Sequence, residues 1–236
     1  MNPRGQDALR SAETKAEWIL QRFEAYSAED KRLFATSSFQ TQSLPLLHIL
    51  SRSRIAVPVV FLNTGYLFPE TLRFRDQLVQ RLGLQLVDLR PNLPKSEQRT
   101  PDGKLLFAAN PDKCCHINKV EPLDPYLSAY DVWISGVRAD QSSTRAGFEF
   151  EQQGPHETVR FHPMLDWNAR EVHAYRVAHE LPAHPLESQG YLSIGCMPCT
   201  MPYTATLNER GGRWSGQSKT ECGLHTELAS TQENQA

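Results

Sequence analysis

Neither sign of charge dominates this sequence. It sets 25 Lys and Arg against 27 Asp and Glu in 236 residues, a formal net charge of −2, with a pI near 6.4. That balance excludes a general attraction to nucleic acid or to anionic membrane. No apolar run approaches the roughly 20 residues of a membrane-spanning helix. The opening Met1-Asn2-Pro3-Arg4-Gly5 lacks the apolar stretch of a secretion signal, so a cytoplasmic protein is expected. No internal repeat or low-complexity tract stands out. Cysteine is scarce, with five in all. In a chain without an export signal those five favour metal ligation or catalysis over structural disulfides.

In bulk the composition is ordinary. Hydrophobic residues make up 39% and charged residues 22%, as in globular proteins generally, and the length suffices to bury a core without staples. Residues 11–26 place Trp18, Ile19, Leu20 and Phe23 on one side of a predicted helix. Residues 33–36 read as a strand, 37–42 as a polar loop without glycine and 44–50 as a helix. A strand, a short polar loop and a helix in succession present backbone N–H groups to a phosphate. Val57-Pro58-Val59-Val60-Phe61-Leu62 is nearly continuous apolar sequence, as in a strand buried on both faces. It stops at Asn63-Thr64-Gly65, and Pro69 opens a helix at its favoured first turn. Residues 84–89 form the next strand. Two strand–helix units in succession predict an α/β fold with a mostly parallel sheet and helices on both faces. Such sheets bind ligands at the carboxyl ends of their strands, where both polar loops, 37–42 and 63–66, fall.

Residues 90–112, with Pro91, Pro94, Pro101 and Pro111, read as a surface connection, and 113–130 as helical at least to Val120. Residues 132–136 are another strand, followed by a polar loop over 137–145 that carries Arg138 and Arg145. Residues 159–163 are extended. Asn168 with Glu171 resembles a capping box, which opens a helix running to about His179. From Glu209 onward the chain is polar and rich in glycine. The expected organisation is an α/β domain over 1–208 and a mobile tail over 209–236, disordered after Thr226.

The cysteines divide by position. Cys114 and Cys115 are adjacent, and Cys196 and Cys199 have the spacing that lets two thiolates reach one metal or cluster. Cys222 stands alone in a polar stretch with no apolar period to bury it. Adjacent cysteines do not readily close an unstrained disulfide. On a helix they point about 100° apart, which suits separate irons of a cube better than one tetrahedral zinc. Four thiolates fit an iron–sulfur cluster or a zinc site; unrelated buried cysteines with a redox disulfide are the remaining alternative. Cys222 is then a spectator, half of a bridge or a reactive thiol; the last is the reading favoured, with Lys219 and His225 near enough in sequence to help lower its pKa.

Four stretches together resemble the cluster-containing assimilatory adenylyl-sulfate (APS) reductases, which belong with the 3′-phosphoadenylyl-sulfate (PAPS) reductases. They are Cys114-Cys115 with Lys119-Val120-Glu121-Pro122-Leu123, then Gly195-Cys196-Met197-Pro198-Cys199-Thr200, the terminal Glu221-Cys222-Gly223-Leu224-His225, and Asn63-Thr64-Gly65-Tyr66 with Phe68-Pro69-Glu70-Thr71. Residues 136–145 share the likeness, which spans roughly residues 33–226. The resemblance implies an adenine-nucleotide α-hydrolase-like fold, a 4Fe-4S cluster on Cys114, Cys115, Cys196 and Cys199, and Cys222 as nucleophile. It also implies that Ser37 and Ser38, Thr64 and Gly65, and Arg138 and Arg145 surround the nucleotide. Lys119, Arg210 and Arg213 match positions near the sulfate and phosphate. Gln40 and Thr41 stand where relatives often carry glycine, Asn63 where aspartate is common, Asn118 where many have arginine, and Ala139 where a second arginine is frequent.

The implied activity is thiol-dependent reduction of APS to sulfite and AMP through a Cys-S-sulfonate, in assimilatory sulfate reduction, with thioredoxin as reductant. No nucleic acid or membrane partner is expected, and a homo-oligomer is left open. A thiolate attacking this anhydride of phosphate and sulfate meets negative charge, so cations must surround the sulfate; arginine forks suit such oxyanions. One rival is PAPS as substrate, with the same chemistry. A second is an ATP-pyrophosphatase-like thiolation enzyme, whose Ser-Gly-Gly-x-Asp-Ser loop residues 37–42 lack. A third is a nucleotide-binding iron–sulfur redox sensor, which would have no need of Cys222.

Overall fold

The structure, a computed structural model, describes residues 2–203, 212–214, 219, 221–226 and 228. Arg210 and most of the expected tail, including nearly all of the stretch after Thr226, lie outside the described residues. The helices are α1 (Pro3–Ala28), α2 (Leu44–Arg52), α3 (Pro69–Leu82), α4 (Leu106–Ala109), α5 (Pro111–Cys115), α6 (Glu121–Leu127), α7 (Ser143–Ala146) and α8 (Ala169–Ala178). The strands are β1 (Leu33–Thr36), β2 (Val59–Leu62), β3 (Leu86–Leu89), β4 (Val132–Ser135), β5 (Glu151–Gln153) and β6 (Val159–Phe161).

The strands form one six-stranded sheet in the order β3-β2-β1-β4-β6-β5. All pairings are parallel except that of β5 with β6. Side chains alternate across the central strands, as the two-residue period of a strand requires. Leu33, Ala35, Val59, Phe61, Val132 and Ile134 enter one core with α1, α2, α3 and α8. Phe34, Val60 and Trp133 enter a second core with Val120, Leu123 and Leu127 around α6. Leu224 and Leu228, from the end of the chain, complete that second core.

Local signals set the element ends. The Asn2 carboxamide accepts from Gly5 N at 2.9 Å and starts α1 eight residues earlier than the apolar stripe alone indicates. Asn168 Oδ1 accepts from the backbone N–H of Glu171 at 3.1 Å, and Glu171 Oε2 from that of Asn168 at 2.9 Å, so the capping box forms. Gly83, at φ 61, ends α3 in the left-handed conformation that glycine adopts without a steric penalty. The segment after Pro111 is not one helix: α5 passes into a π turn over His116–Val120 and then into α6. The connection over 90–112 contains α4 and a fully buried Gln98, so it is partly interior.

The chain winds β1, β2, β3 toward one edge and returns to place β4 on the other side of β1. The order therefore reverses between β1 and β4, and a crevice opens at their carboxyl ends. Among the described residues no helix is long and apolar enough to cross a membrane.

Candidate active site and metal centre

The crevice holds a cleft open to solvent. Its walls include Ser37 and Ser38 after β1, Gln141 and Arg145 after β4, and Lys119, Arg213, Cys196 and Cys222. The loop after β1 turns without glycine because Phe39 itself takes φ 54. That conformation is rare for a bulky residue. Here it is held by complete burial of the ring against Phe61, 5.6 Å away, and by Ser37 Oγ accepting from Phe39 N at 3.1 Å. The next two residues, Gln40 and Thr41, fix neighbouring chain. Gln40 Oε1 accepts from Ile194 N at 2.9 Å, and Thr41 Oγ1 from His184 N at 3.0 Å.

Gly65 has φ 72, a conformation that favours glycine. Lys95 donates to its carbonyl at 2.8 Å. Beside it the Thr64 hydroxyl lies 3.2 Å from Cys196 Sγ. Met197 N donates to Tyr66 O at 2.7 Å, which lays the second cysteine pair along residues 64–67. Gly195 lets the Arg213 guanidinium lie against this path, since a Cβ there would make that side chain shift.

All four paired cysteines line a second, smaller cavity together with Thr64, Lys119, Arg213 and Trp214. Cys114 and Cys115 are buried, Cys196 and Cys199 half-buried, and all four are free thiols. Among the described residues no three His, Cys, Asp or Glu side chains close on a single ion-sized point. A soft, all-thiolate donor set spread around a cavity fits a multi-iron cluster better than one tetrahedral ion. Burial, then the Cys196 and Cys199 sulfurs, push the Cys114 thiol up to about 11. Burial and Cys196 likewise raise Cys199. Thiols crowded in this way are stabilised as thiolates by a bound cationic centre.

Lys119 lies between this cavity and the cleft. Burial works to lower its pKa, but the sulfurs of Cys222, Cys115 and Cys196 outweigh burial and raise it. Its Nζ is 3.5 Å from Cys222 Sγ. A hydrogen bond from the Cys115 thiol holds Cys222 well below the usual thiol range, against burial, and Lys119 and Arg213 act in the same direction. Lys219 is engaged with Asp112, and His225 Nδ1 lies 3.3 Å from Arg160 Nη2. The cations with the largest effect on Cys222 are therefore Lys119 and Arg213.

Ser37, Ser38, Lys119, Arg145, Arg213 and Cys222 thus share the cleft, and Thr64 lies in the wall of the cysteine cavity. Gly65 and Arg138 line neither cavity. Arg138 is fully buried, with its guanidinium on Asp140 and Gln42. Arg210 is outside the described residues. Two contributors have no motif to mark them. Gln98 braces Asn118, whose Nδ2 donates to Cys114 O at 2.8 Å and lies 3.5 Å from Cys114 Sγ. Arg160 lies under the Cys222 segment.

Residues 32–202 match the phosphoadenosine phosphosulfate reductase domain family. The chain is 38% identical over 203 residues to adenosine 5′-phosphosulfate reductase of Bacillus pumilus, covering 85% of this chain and 87% of that protein. It is 40% identical over 206 residues to phosphoadenosine 5′-phosphosulfate reductase of Gloeobacter violaceus, covering 86% of each. The crystal structure of phosphoadenylyl-sulfate reductase from Candida auris, a phosphate complex, superposes with a TM-score of 0.64 at 21% identity, over 75% of this chain and 87% of that one. The expected adenine-nucleotide α-hydrolase-like fold, mostly parallel with helices on both faces, is borne out.

Proposed function

This chain belongs to the phosphoadenosine phosphosulfate reductase family, and on that premise we propose that it reduces APS to sulfite and AMP with Cys222 as the nucleophile. It is an oxidoreductase of the APS/PAPS reductase kind, acting in sulfate assimilation. The observation that carries the reading is the seat of Cys222. It is the one cysteine outside the four-thiol cavity, and it faces the cleft at the carboxyl ends of β1 and β4, 3.5 Å from the Lys119 ammonium.

The cleft receives the nucleotide with Ser37 and Ser38 toward its phosphate, while Gly65 and Arg138 shape the loops around it. Lys119 and Arg213 face the sulfate, with Arg210 placed near the sulfate and phosphate and Arg145 beside the nucleotide by family likeness. The Cys222 thiolate attacks the sulfate sulfur and forms an S–S bond. The sulfur–oxygen bond to the phosphate breaks, and its electron pair leaves on AMP. Lys119 offsets the charge that builds on the sulfate oxygens, an electrostatic stabilisation that grows toward the transition state. A dithiol, thioredoxin by the same likeness, then attacks the Cys222 sulfur. Sulfite leaves with the electron pair of the S–S bond, and the second thiol of the dithiol releases Cys222, so that the dithiol ends as a disulfide. Splitting the reaction through a covalent intermediate replaces one hard step with two easier ones.

Cys114, Cys115, Cys196 and Cys199 would hold a 4Fe-4S cluster, which supplies local charge and rigidity beside Lys119 when bound. Once Cys115 is a ligand it no longer donates to Cys222, and Lys119 and Arg213 are left to stabilise the thiolate.

The test is mass analysis of protein incubated with APS and no reductant, beside a parallel sample with PAPS. One added sulfonate, about 80 Da for a covalent intermediate, should map to Cys222 with APS, and thioredoxin should remove it with release of sulfite. Faster labelling by PAPS would reassign the substrate, and a sulfonate on any other cysteine would overturn the reading.

A further inference from the structure

On either side of Cys222 the body of the protein holds the chain with a buried arginine. Before it, Glu221 is buried, and its carboxylate takes the fork of Arg145. Nε donates to Oε2 and Nη2 to Oε1, both at 3.0 Å. The same Oε1 accepts from the backbone N–H of Cys222 at 3.0 Å. One carboxylate oxygen therefore links a fixed guanidinium to the main chain of the cysteine. The third arm of Arg145 is taken by Gln141. After Cys222, Arg160 Nη2 donates to Leu224 O at 3.3 Å and meets His225 Nδ1 at the same distance.

Arg160 is an unusual residue for the middle of a sheet. It sits on β6 opposite Trp133 of β4 and is 0% exposed. Among the described residues no carboxylate pairs with it. Its guanidinium lies over the Trp133 ring at 4.6 Å and over Phe148 at 5.6 Å. Among the described residues its Nε and Nη1 meet no acceptor. Gly154 makes room for it, since a Cβ there would come within 2.7 Å of the Arg160 stem. A buried cation without a countercharge is costly, and a well-packed apolar side chain in its place is often as stable or more so. The position makes physical sense if this face of the sheet is covered only part of the time. With the 221–228 segment lifted off, the guanidinium meets water; with it docked, the guanidinium grips a backbone carbonyl next to the nucleophile.

We infer that Arg160 and Glu221 are positioning residues that clamp Cys222 over the cleft for the attack on sulfur and open to expose it to the reductant. The inference rests on Cys222 being the nucleophile. Leu224 and Leu228, packed with Val120 and Trp133, give the docked state its apolar contact. The two arginine contacts set the register of the segment, and Arg145 gives up Glu221 each time the clamp opens. Alternate docking and release of a mobile element is a common way to couple two half-reactions in one site.

The experiment uses the full chain reconstituted anaerobically with iron and sulfide, as wild type, Arg160→Met, Arg160→Lys and Glu221→Gln. Two rates are read at Cys222 by peptide mapping: alkylation by iodoacetamide without nucleotide, and S-sulfonation at saturating APS. In Arg160→Met and Glu221→Gln, alkylation should speed up about tenfold and sulfonation should slow about tenfold, equivalent to about 1.4 kcal/mol. AMP affinity should not weaken, and Arg160→Lys should recover part of both rates. A residue needed only for folding would not speed alkylation at Cys222 while leaving AMP binding intact. Alkylation at the wild-type rate in both Arg160→Met and Glu221→Gln overturns the clamp; if Arg160→Met does not fold, Glu221→Gln and Arg160→Lys decide it. Wild-type protein that never carries a sulfonate on Cys222 sinks the proposed function instead, and the alkylation rates still decide the docking.

Discussion

The two cysteine pairs that face one another across the smaller cavity are built in opposite ways. Cys114 and Cys115 end a helix, are buried, and lead through a π turn into α6, whose Leu123 and Leu127 are part of the second core. Cys196 and Cys199 lie in a one-turn 3-10 segment, half-buried, with Met197 between them 53% exposed. The first pair is held by the fold itself. The second is held by single contacts to neighbouring loops: the Thr64 hydroxyl, Tyr66 O, and Trp214 N donating to Cys199 O at 3.1 Å. Local stability follows buried contacts, so one half of the candidate metal centre is stiff and the other adaptable.

The largest expected effect tests that asymmetry directly. Serine at any of the four positions should abolish reductase activity. The iron content should separate the pairs. Cys114→Ser and Cys115→Ser should retain no iron after desalting, while Cys196→Ser and Cys199→Ser should retain a labile fraction. Cys222→Ser should keep wild-type iron and lose activity. Equal iron loss at all four positions would remove the distinction between the halves. Stoichiometric zinc in place of iron in the wild type would remove the cluster reading altogether.

The next effect sets a cation of the stiff half against one of the loop half. Lys119 lies in the π turn beyond Cys115, and Arg213 is bridged to Thr200 and stacks at 4.3 Å over Trp214. Lys119 reaches Cys222 at 3.5 Å from backbone anchored in the second core. A preorganised charge contributes more to a transition state than one that must be held in place. Lys119→Ala should slow single-turnover sulfonation by roughly a hundredfold, about 2.7 kcal/mol, and Arg213→Ala by roughly tenfold. The reverse order would place the dominant charge on the loop side.

The stiff parts are also those the sequence shows most openly. The central strands are legible because burial on both faces leaves continuous apolar runs, as in Val59–Leu62. The α8 capping box is legible because its signal is local, Asn168 with Glu171. The four paired cysteines stand out by spacing, and the structure brings them around one cavity. Contacts between distant segments leave no such mark. The edge strand β5 is Glu-Gln-Gln, and only its pairing with β6 makes it a strand. Gln98 lies in a stretch rich in proline and polar residues, yet it is fully buried because Asn118 supplies a complementary amide 20 positions on. Arg160 reads as a polar residue in a short strand; its burial depends on Gly154 and on the returning chain end. Leu224 and Leu228 look like isolated apolar residues in a polar tail, and only the sheet face beneath them gives them a core.

The smallest effect concerns how the stiff half grips its sulfur. Asn118 and Gln98 form a closed amide pair, with Asn118 Nδ2 donating to Gln98 Oε1 at 2.7 Å and Gln98 Nε2 to Asn118 Oδ1 at 3.0 Å. The pair holds Asn118 Nδ2 against Cys114, at 2.8 Å from the carbonyl and 3.5 Å from the sulfur. A neutral donor thus stands beside the sulfur of a candidate ligand. Groups behind metal ligands commonly shift metal affinity by about 10- to 100-fold. Asn118→Leu should therefore release iron to a chelator about tenfold faster. The matching change on the adaptable half, Thr64→Val, should act less, because a loop can shift to compensate. Asn118→Leu also strands the buried Gln98 amide, at about 1–3 kcal/mol of stability, and an unstable protein loses iron for that reason alone. The double variant Gln98→Leu/Asn118→Leu removes both halves of the amide pair and so relieves most of that penalty. If the double variant recovers thermal stability and still sheds iron fast, the hydrogen bond at Cys114 is responsible. If iron retention returns with stability, the amide pair acts only through the fold.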